Sequence, residues 1–204
     1  MMKLYASAGS PFARKIRVLL LEKNVPHEIE MVELFGANDL KRTNPIGKVP
    51  ALRLDDGRVL ISSPLIADYL DDRFPQPRFI PADPELRLEV RRWEALADGT
   101  MDAAIASLYE MRFHDEQKRS RDWLDRQRGK LDTGFATLEG MLDGRRWCVG
   151  DAVSLADVAI ACHIGFIMLR RPEYFPQEMC PNLARLWTSM EARESMKRTA
   201  PPPA

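Results

Sequence analysis

The sequence predicts two domains of different class, an α/β domain followed by an all-helical one. Three observations lead there. Short runs of strand and helix character alternate up to about residue 74. The segment Pro75-Gln76-Pro77-Arg78-Phe79-Ile80-Pro81-Ala82-Asp83-Pro84 then gathers four of the chain's 15 prolines. Everything after it has helical spacing. Proline fixes φ and removes a backbone donor, so the proline-dense stretch reads as an extended linker. The boundaries so placed are residues 1–76, a linker at 77–84, and 85–204.

Each element has a local reason. Lys3-Leu4-Tyr5 reads as a strand. Ser10-Pro11 opens a helix, with serine as cap and proline in the first turn. That helix runs through Phe12, Ile16, Leu19 and Leu20 and stops near Asn24-Val25-Pro26. His27 to Val32 reads as a second strand, and Asn38 to Thr43 as a weak helix or irregular stretch. Ala51 to Leu54 and Arg58 to Ile61 flank Asp55-Asp56-Gly57, a hairpin signal because the turn needs positive φ. Ser63-Pro64 repeats the serine-proline helix start, and that helix continues to about Arg73. The first β-α-β demands a parallel right-handed crossover, and the hairpin adds antiparallel strands.

Beyond the linker, Asp83-Pro84 caps a long amphipathic helix through Trp93, Leu96, Met101, Ile105, Leu108 and Phe113. A second helix is expected from about Glu116 to Leu142. Ser154-Leu155-Ala156-Asp157 has the spacing of a capping box, with Val153 and Val158 placed as its hydrophobic staple. The helix behind it, to Leu169, is apolar nearly all round and should be buried. Asn182 to Arg193 gives one more helix. The tail Pro201-Pro202-Pro203 is the only other biased stretch.

Composition narrows the function. With 30 basic and 30 acidic residues the formal net charge is +0, so no long-range field draws in nucleic acid or anionic membrane. Recognition of a charged ligand must be local. No apolar stretch is long enough to span a bilayer. The N-terminus lacks the pattern of a secretory leader. The three cysteines, Cys148, Cys162 and Cys180, have neither C-x-x-C nor zinc-like spacing, and the histidines His27, His114 and His163 are scattered, so no metal site is expected. A reduced, cytoplasmic protein is the expectation.

Four motifs in order carry a resemblance. Ser10-Pro11-Phe12-Ala13-Arg14-Lys15-Ile16-Arg17 is similar to the active-site turn of the tau class of cytosolic glutathione transferases; the omega class has cysteine in the serine's place. Asn44-Pro45-Ile46-Gly47-Lys48-Val49-Pro50 resembles that family's glutathione-binding loop. Leu60-Ile61-Ser62-Ser63 before a helix resembles its acidic-Ser turn. Gly150-Asp151-Ala152-Val153-Ser154-Leu155-Ala156-Asp157 resembles its folding motif. The resemblance covers the whole chain. It implies a thioredoxin-like α/β N-terminal domain, an all-α C-terminal domain, a homodimer, glutathione as co-substrate and a small electrophile as partner.

The resemblance also implies roles, each with a physical rationale. Lys48 supplies a local cation for the glycyl carboxylate. A cis Val49-Pro50 bond turns the Val49 backbone toward the cysteinyl unit. Ser63, read as the cap of its helix, offers the γ-glutamyl carboxylate a helix start with its free N–H groups and partial positive charge. Phe12 belongs to the same glutathione-binding set. Ser62 stands where many members carry an acid; its missing charge leaves the γ-glutamyl ammonium without its usual partner, and Asp98 is the candidate to supply it from a neighbouring subunit. Ser10, at a helix N-terminus, is the catalytic candidate, donating a hydrogen bond to the glutathione thiolate; Ser7 and Tyr5 are the other hydroxyls nearby. A thiol of pKa about 8.5 is only a few per cent ionised at neutral pH, and a depression of about two units makes it mostly thiolate. Tyr109 and Phe113 are candidates for the wall of the electrophile pocket. Two other readings stand beside conjugation: a thiol transferase, which needs a cysteine where Ser10 is, and a non-enzymatic interaction module on the same fold.

Overall fold

In the computed structural model, residues 1–36 and 38–202 are described; Pro203 of the proline tail lies outside them. The chain divides into two compact units, Met1–Pro81 with Met190–Ala204, and Ala82–Ser189.

The first unit is thioredoxin-like. Its elements are β1 (Met2–Ala6), α1 (Pro11–Glu22), β2 (His27–Met31), α2 (Leu40–Thr43), β3 (Ala51–Arg53), β4 (Val59–Ile61) and α3 (Ser63–Arg73). The sheet order is β2-β1-β3-β4, with β1 parallel to β2 and the β1–β3 and β3–β4 pairs antiparallel. This is the expected crossover followed by a hairpin. Gly57 turns the hairpin at φ 88°, a backbone conformation that a Cβ disfavours. α1 packs against α3, and Leu4, Ile16, Leu19, Leu20, Leu52, Ile66 and Leu70 form the core.

The expected extended linker is clamped instead. Lys23 and Asp71 form an ion pair at 2.8 Å whose side chains are both almost wholly buried. Lys23 Nζ also donates to the carbonyls of Phe74 and Pro77, at 2.7 and 2.6 Å. Asp71 accepts from the amides of Phe79 and Ile80, at 2.8 and 3.1 Å. Phe79 and Ile80 are themselves buried. Each buried charge thus has carbonyl or amide partners besides its counter-ion, as buried charges require. Residues 190–202 pack in the first unit, tied to α1 by charged side chains.

The second unit is helical: α4 (Pro84–Phe113), α5 (Arg121–Leu142), α6 (Leu155–Arg170) and most of α7 (Pro181–Glu191). A short α8 (Glu194–Arg198), unforeseen in the sequence, follows in the first unit. Asp83 caps α4 as expected, accepting from the amides of Glu85 and Leu86, each at 3.0 Å. α5 starts later than expected, because Ser120 caps it by accepting from the Trp123 amide, and residues 116–118 form a separate 3-10 turn. α4 packs along α5 and α6. The approach is close at Gly134, where a Cβ would come within 2.1 Å of Thr100 Oγ1. The α6 capping box forms: Asp157, fully buried, accepts from the Ser154 amide and hydroxyl and from the Cys148 amide, at 2.7–2.8 Å. Among the described residues no helix is long and apolar enough to cross a membrane.

Candidate functional site

The sheet register brings three of the sequence-predicted segments to one end of the first unit. Tyr5 pairs with Ala51, and Ala51 with Ile61. The exit of β1, the entry of β3 and the exit of β4 therefore lie in one row across three strands. The chain leaving β1 leads to Ser10 and Phe12, the chain entering β3 brings Lys48, Val49 and Pro50, and the chain leaving β4 brings Ser62 and Ser63.

Ser10 caps α1. Its Oγ accepts from the Ala13 amide at 3.2 Å, and its carbonyl accepts from the Arg14 amide at 2.9 Å. Accepting the amide leaves the hydroxyl proton available to donate, so capping and donation to an anion are compatible in one side chain. Ser7 lies in the same turn, its carbonyl accepting from the Ser10 amide at 3.1 Å. Tyr5 is buried in the sheet. Phe12, in the first turn of α1, is half-buried beside the Lys15 ammonium.

The loop before β3 is built by Asn44, to which the sequence motif assigns no role of its own. Asn44, 1% exposed, donates from Nδ2 to the Lys48 carbonyl at 2.7 Å and accepts at Oδ1 from the Ile46 amide at 3.2 Å. Its own carbonyl accepts from the Gly47 amide at 2.8 Å. An asparagine just before a proline is a turn signal that could have singled it out. The Val49-Pro50 bond is cis. Lys48 is exposed, and among the described residues its ammonium makes no ion pair.

The turn into α3 differs from expectation by one residue. Ser62, not Ser63, occupies the cap position, and its side chain makes no capping hydrogen bond. Ser62 sits at φ 78°, ψ 127°, a conformation costly for a residue with a Cβ. The reason is the abrupt change from β4 to a helix whose first turn already contains Pro64. Ser63 becomes the first helical residue and is 3% exposed.

The remaining candidates lie in the second unit. Asp98 Oδ1 stands 3.3 Å from Nε2 of His163, a buried α6 residue. That pairing, between residues far apart in sequence, had no local signal. Tyr109 and Phe113 are both partly exposed and meet edge to face, with ring centroids 5.7 Å apart. Partial burial pushes the Tyr109 phenol above its ordinary value, against the opposing pull of Arg112.

The cysteines offer no alternative nucleophile. All three are buried and unbridged, in the second unit. Burial, with the Asp157 carboxylate adding to it, pushes the Cys148 thiol far above its ordinary value. Burial, with Glu139 adding to it, raises Cys180 to about 11. Neither is a thiolate at neutral pH.

Comparison with known proteins agrees with this architecture. A family model described as glutathione S-transferase, N-terminal domain, matches residues 4–78, and one described as glutathione S-transferase, C-terminal domain, matches residues 121–192. An uncharacterized GST-like protein, YibF of Escherichia coli (strain K12), is 41% identical over 207 residues, covering 100% of both chains. A maleylacetoacetate isomerase of Pseudomonas aeruginosa is 34% identical over 167 residues, 77% of each chain. The crystal structure of a glutathione S-transferase from Methylobacillus flagellatus KT with GSH bound has a TM-score of 0.95 and 40% identity, covering 99% of this chain and 100% of that one.

Proposed function

Since the chain belongs to the glutathione S-transferase family, we propose that its first unit binds reduced glutathione and ionises its thiol for attack on an electrophilic carbon. The observation that carries this reading is the single row of Tyr5, Ala51 and Ile61, which delivers the Ser10, Lys48–Pro50 and Ser62–Ser63 segments to one end of the sheet. The glutathione thiol gives its proton to solvent, and the Ser10 hydroxyl, already accepting the Ala13 amide, donates a hydrogen bond to the resulting thiolate, while the N-terminus of α1 adds its partial positive charge. Lys48 attracts one carboxylate. Val49 presents its backbone to the middle of the tripeptide. The start of α3 at Ser62 and Ser63 takes the other carboxylate, and Phe12 contacts the ligand from α1. The bond formed is carbon–sulfur; the leaving group departs with the electron pair of the broken bond.

Asp98 serves the γ-glutamyl ammonium of a second copy's ligand in a homodimer; its side chain keeps 18% exposure despite the His163 contact. Tyr109 and Phe113 wall the electrophile pocket. The balanced charge and buried thiols suit a cytoplasmic enzyme, and conjugation of electrophiles would serve detoxification.

The relatives named maleylacetoacetate isomerase favour a second reading, in which the same thiolate adds to an unsaturated substrate and is later expelled, so that glutathione is regenerated and the substrate isomerised. Retention on immobilised glutathione, then parallel assays with an aryl halide and with maleylacetoacetate, separates these readings. No retention and no turnover of either would leave an interaction module.

A further inference from the structure

α1 carries Ser10 at its head, and the far end of the chain is tied to it at three places. Arg14 is 2% exposed, and its Nη2 donates to Glu191 Oε2 and to the Met196 carbonyl, each at 3.0 Å. Arg17 Nη1 donates to the Thr199 carbonyl at 3.4 Å. Glu22, the last residue of α1, accepts from Arg193 Nε and Nη2 at 2.9 and 2.8 Å and from the Ser195 hydroxyl.

We propose that Arg14 is a positioning residue for thiol activation. By gripping Glu191 and the Met196 carbonyl it fixes the first turn of α1, and with it the Ser10 hydroxyl, so that residues 190–200 are a working part of the glutathione site. This inference rests on the reading of Ser10 given above.

The physical link is short. The amide of Arg14 donates to the carbonyl of Ser10, and the next amide back, that of Ala13, donates to the Ser10 hydroxyl. Backbone and hydroxyl thus belong to one capping turn, and Arg14 is its last member. Terminal turns of helices open most easily unless tertiary contacts hold them. Arg14 supplies such a contact through a charge-assisted hydrogen bond to Glu191 and a buried one to the Met196 carbonyl. A hydroxyl-to-thiolate hydrogen bond weakens steeply with misalignment, so loosening this turn acts on the thiol before it acts on the fold.

The test is a double-mutant cycle. Arg14→Met, Arg14→Lys and Glu191→Gln are made alone and in a Ser10→Ala background. The pKa of the bound glutathione thiol is read from ultraviolet thiolate absorbance against pH, with glutathione affinity and melting temperature measured beside it. Arg14→Met should raise the bound thiol's pKa by about one unit, roughly a threefold loss of thiolate at neutral pH for a thiol that starts about two units below 8.5, while affinity changes far less. Arg14→Lys should recover most of that shift, because both bonds leave a single nitrogen. In the Ser10→Ala background Arg14→Met should add nothing further. Additive shifts, or an unchanged thiol pKa with a lowered melting temperature, would reduce Arg14 to a brace for the tail and overturn the proposal. Should Arg14→Met fail to fold, Glu191→Gln and Arg14→Lys carry the same comparison. If Ser10→Ala raises the pKa and no Arg14 or Glu191 variant does, this inference alone is lost. If Ser10→Ala leaves it unchanged, the Ser10 reading falls and takes the inference with it.

Discussion

The side-chain amide of Asn44 donates to the backbone carbonyl of Lys48 at 2.7 Å, fixing the residue immediately before Val49 and the cis Pro50. One buried side chain thereby shapes the loop that presents both a cation and a strand-like backbone edge. Asn44→Ala removes that bond and the Oδ1 contact to Ile46. The protein should lose about 1–3 kcal/mol of stability, the cost of leaving buried polar groups unpaired. Glutathione affinity should fall by more than the melting curve alone explains. Thermal unfolding with and without glutathione checks both parts; unaltered affinity in a destabilised variant would separate Asn44 from the site.

Ser10→Ala removes a helix cap and a thiolate donor together. The cap contributes about 1 kcal/mol. The thiolate donor should show as a rise of about one to two units in the bound thiol's pKa and a matching fall in kcat/KM. Ser10→Thr keeps the hydroxyl and should restore most of both. If Ser7→Ala rather than Ser10→Ala shifts the thiol, the activating hydroxyl has been misassigned.

The clamp on the connecting segment predicts a large stability effect. Asp71→Asn leaves Lys23 charged and buried without its counter-ion, which costs about 3–5 kcal/mol. Hydrogen exchange should speed up at the Phe79 and Ile80 amides, which Asp71 accepts. Protection unchanged at those two amides would refute the clamp.

Glu22 predicts a pH dependence. Burial works to raise its carboxyl, but the Arg193 and Ser195 hydrogen bonds outweigh burial and hold it below the ordinary glutamate value. An acid whose folded value is depressed contributes stability that is complete above the unfolded value, roughly 4.3, and that is lost as pH falls through the folded value. The tie between α1 and the chain's end should therefore weaken in acid below that range. Glu22→Gln should flatten this part of the melting temperature's pH profile; an identical slope in the variant would rule out Glu22 as its source.

What the sequence made legible was local. The Asp83 cap, the Ser154–Asp157 box and the Asp-Gly hairpin each lie within a few residues, where spacing alone dictates the bond. The cis Val49-Pro50 bond came from the family resemblance. The Lys23–Asp71 clamp, the Arg14–Glu191 grip and the Asp98–His163 contact join residues distant in sequence, and nothing in the spacing of either partner announces the other. The cap of α3 fell on Ser62 and not on Ser63, because a strand-to-helix turn at positive φ leaves no signal when the residue is not glycine. The late start of α5 followed from Ser120, a cap that competes with the helical pattern around it.

The account stands most directly on a calorimetric titration of the folded protein with reduced glutathione. It predicts saturable heat at one site per chain, with roughly tenfold weaker binding in Lys48→Ala, a loss of about 1.4 kcal/mol, and an unaltered melting temperature in that variant. Absence of saturable heat from a protein whose unfolding transition is intact would contradict it.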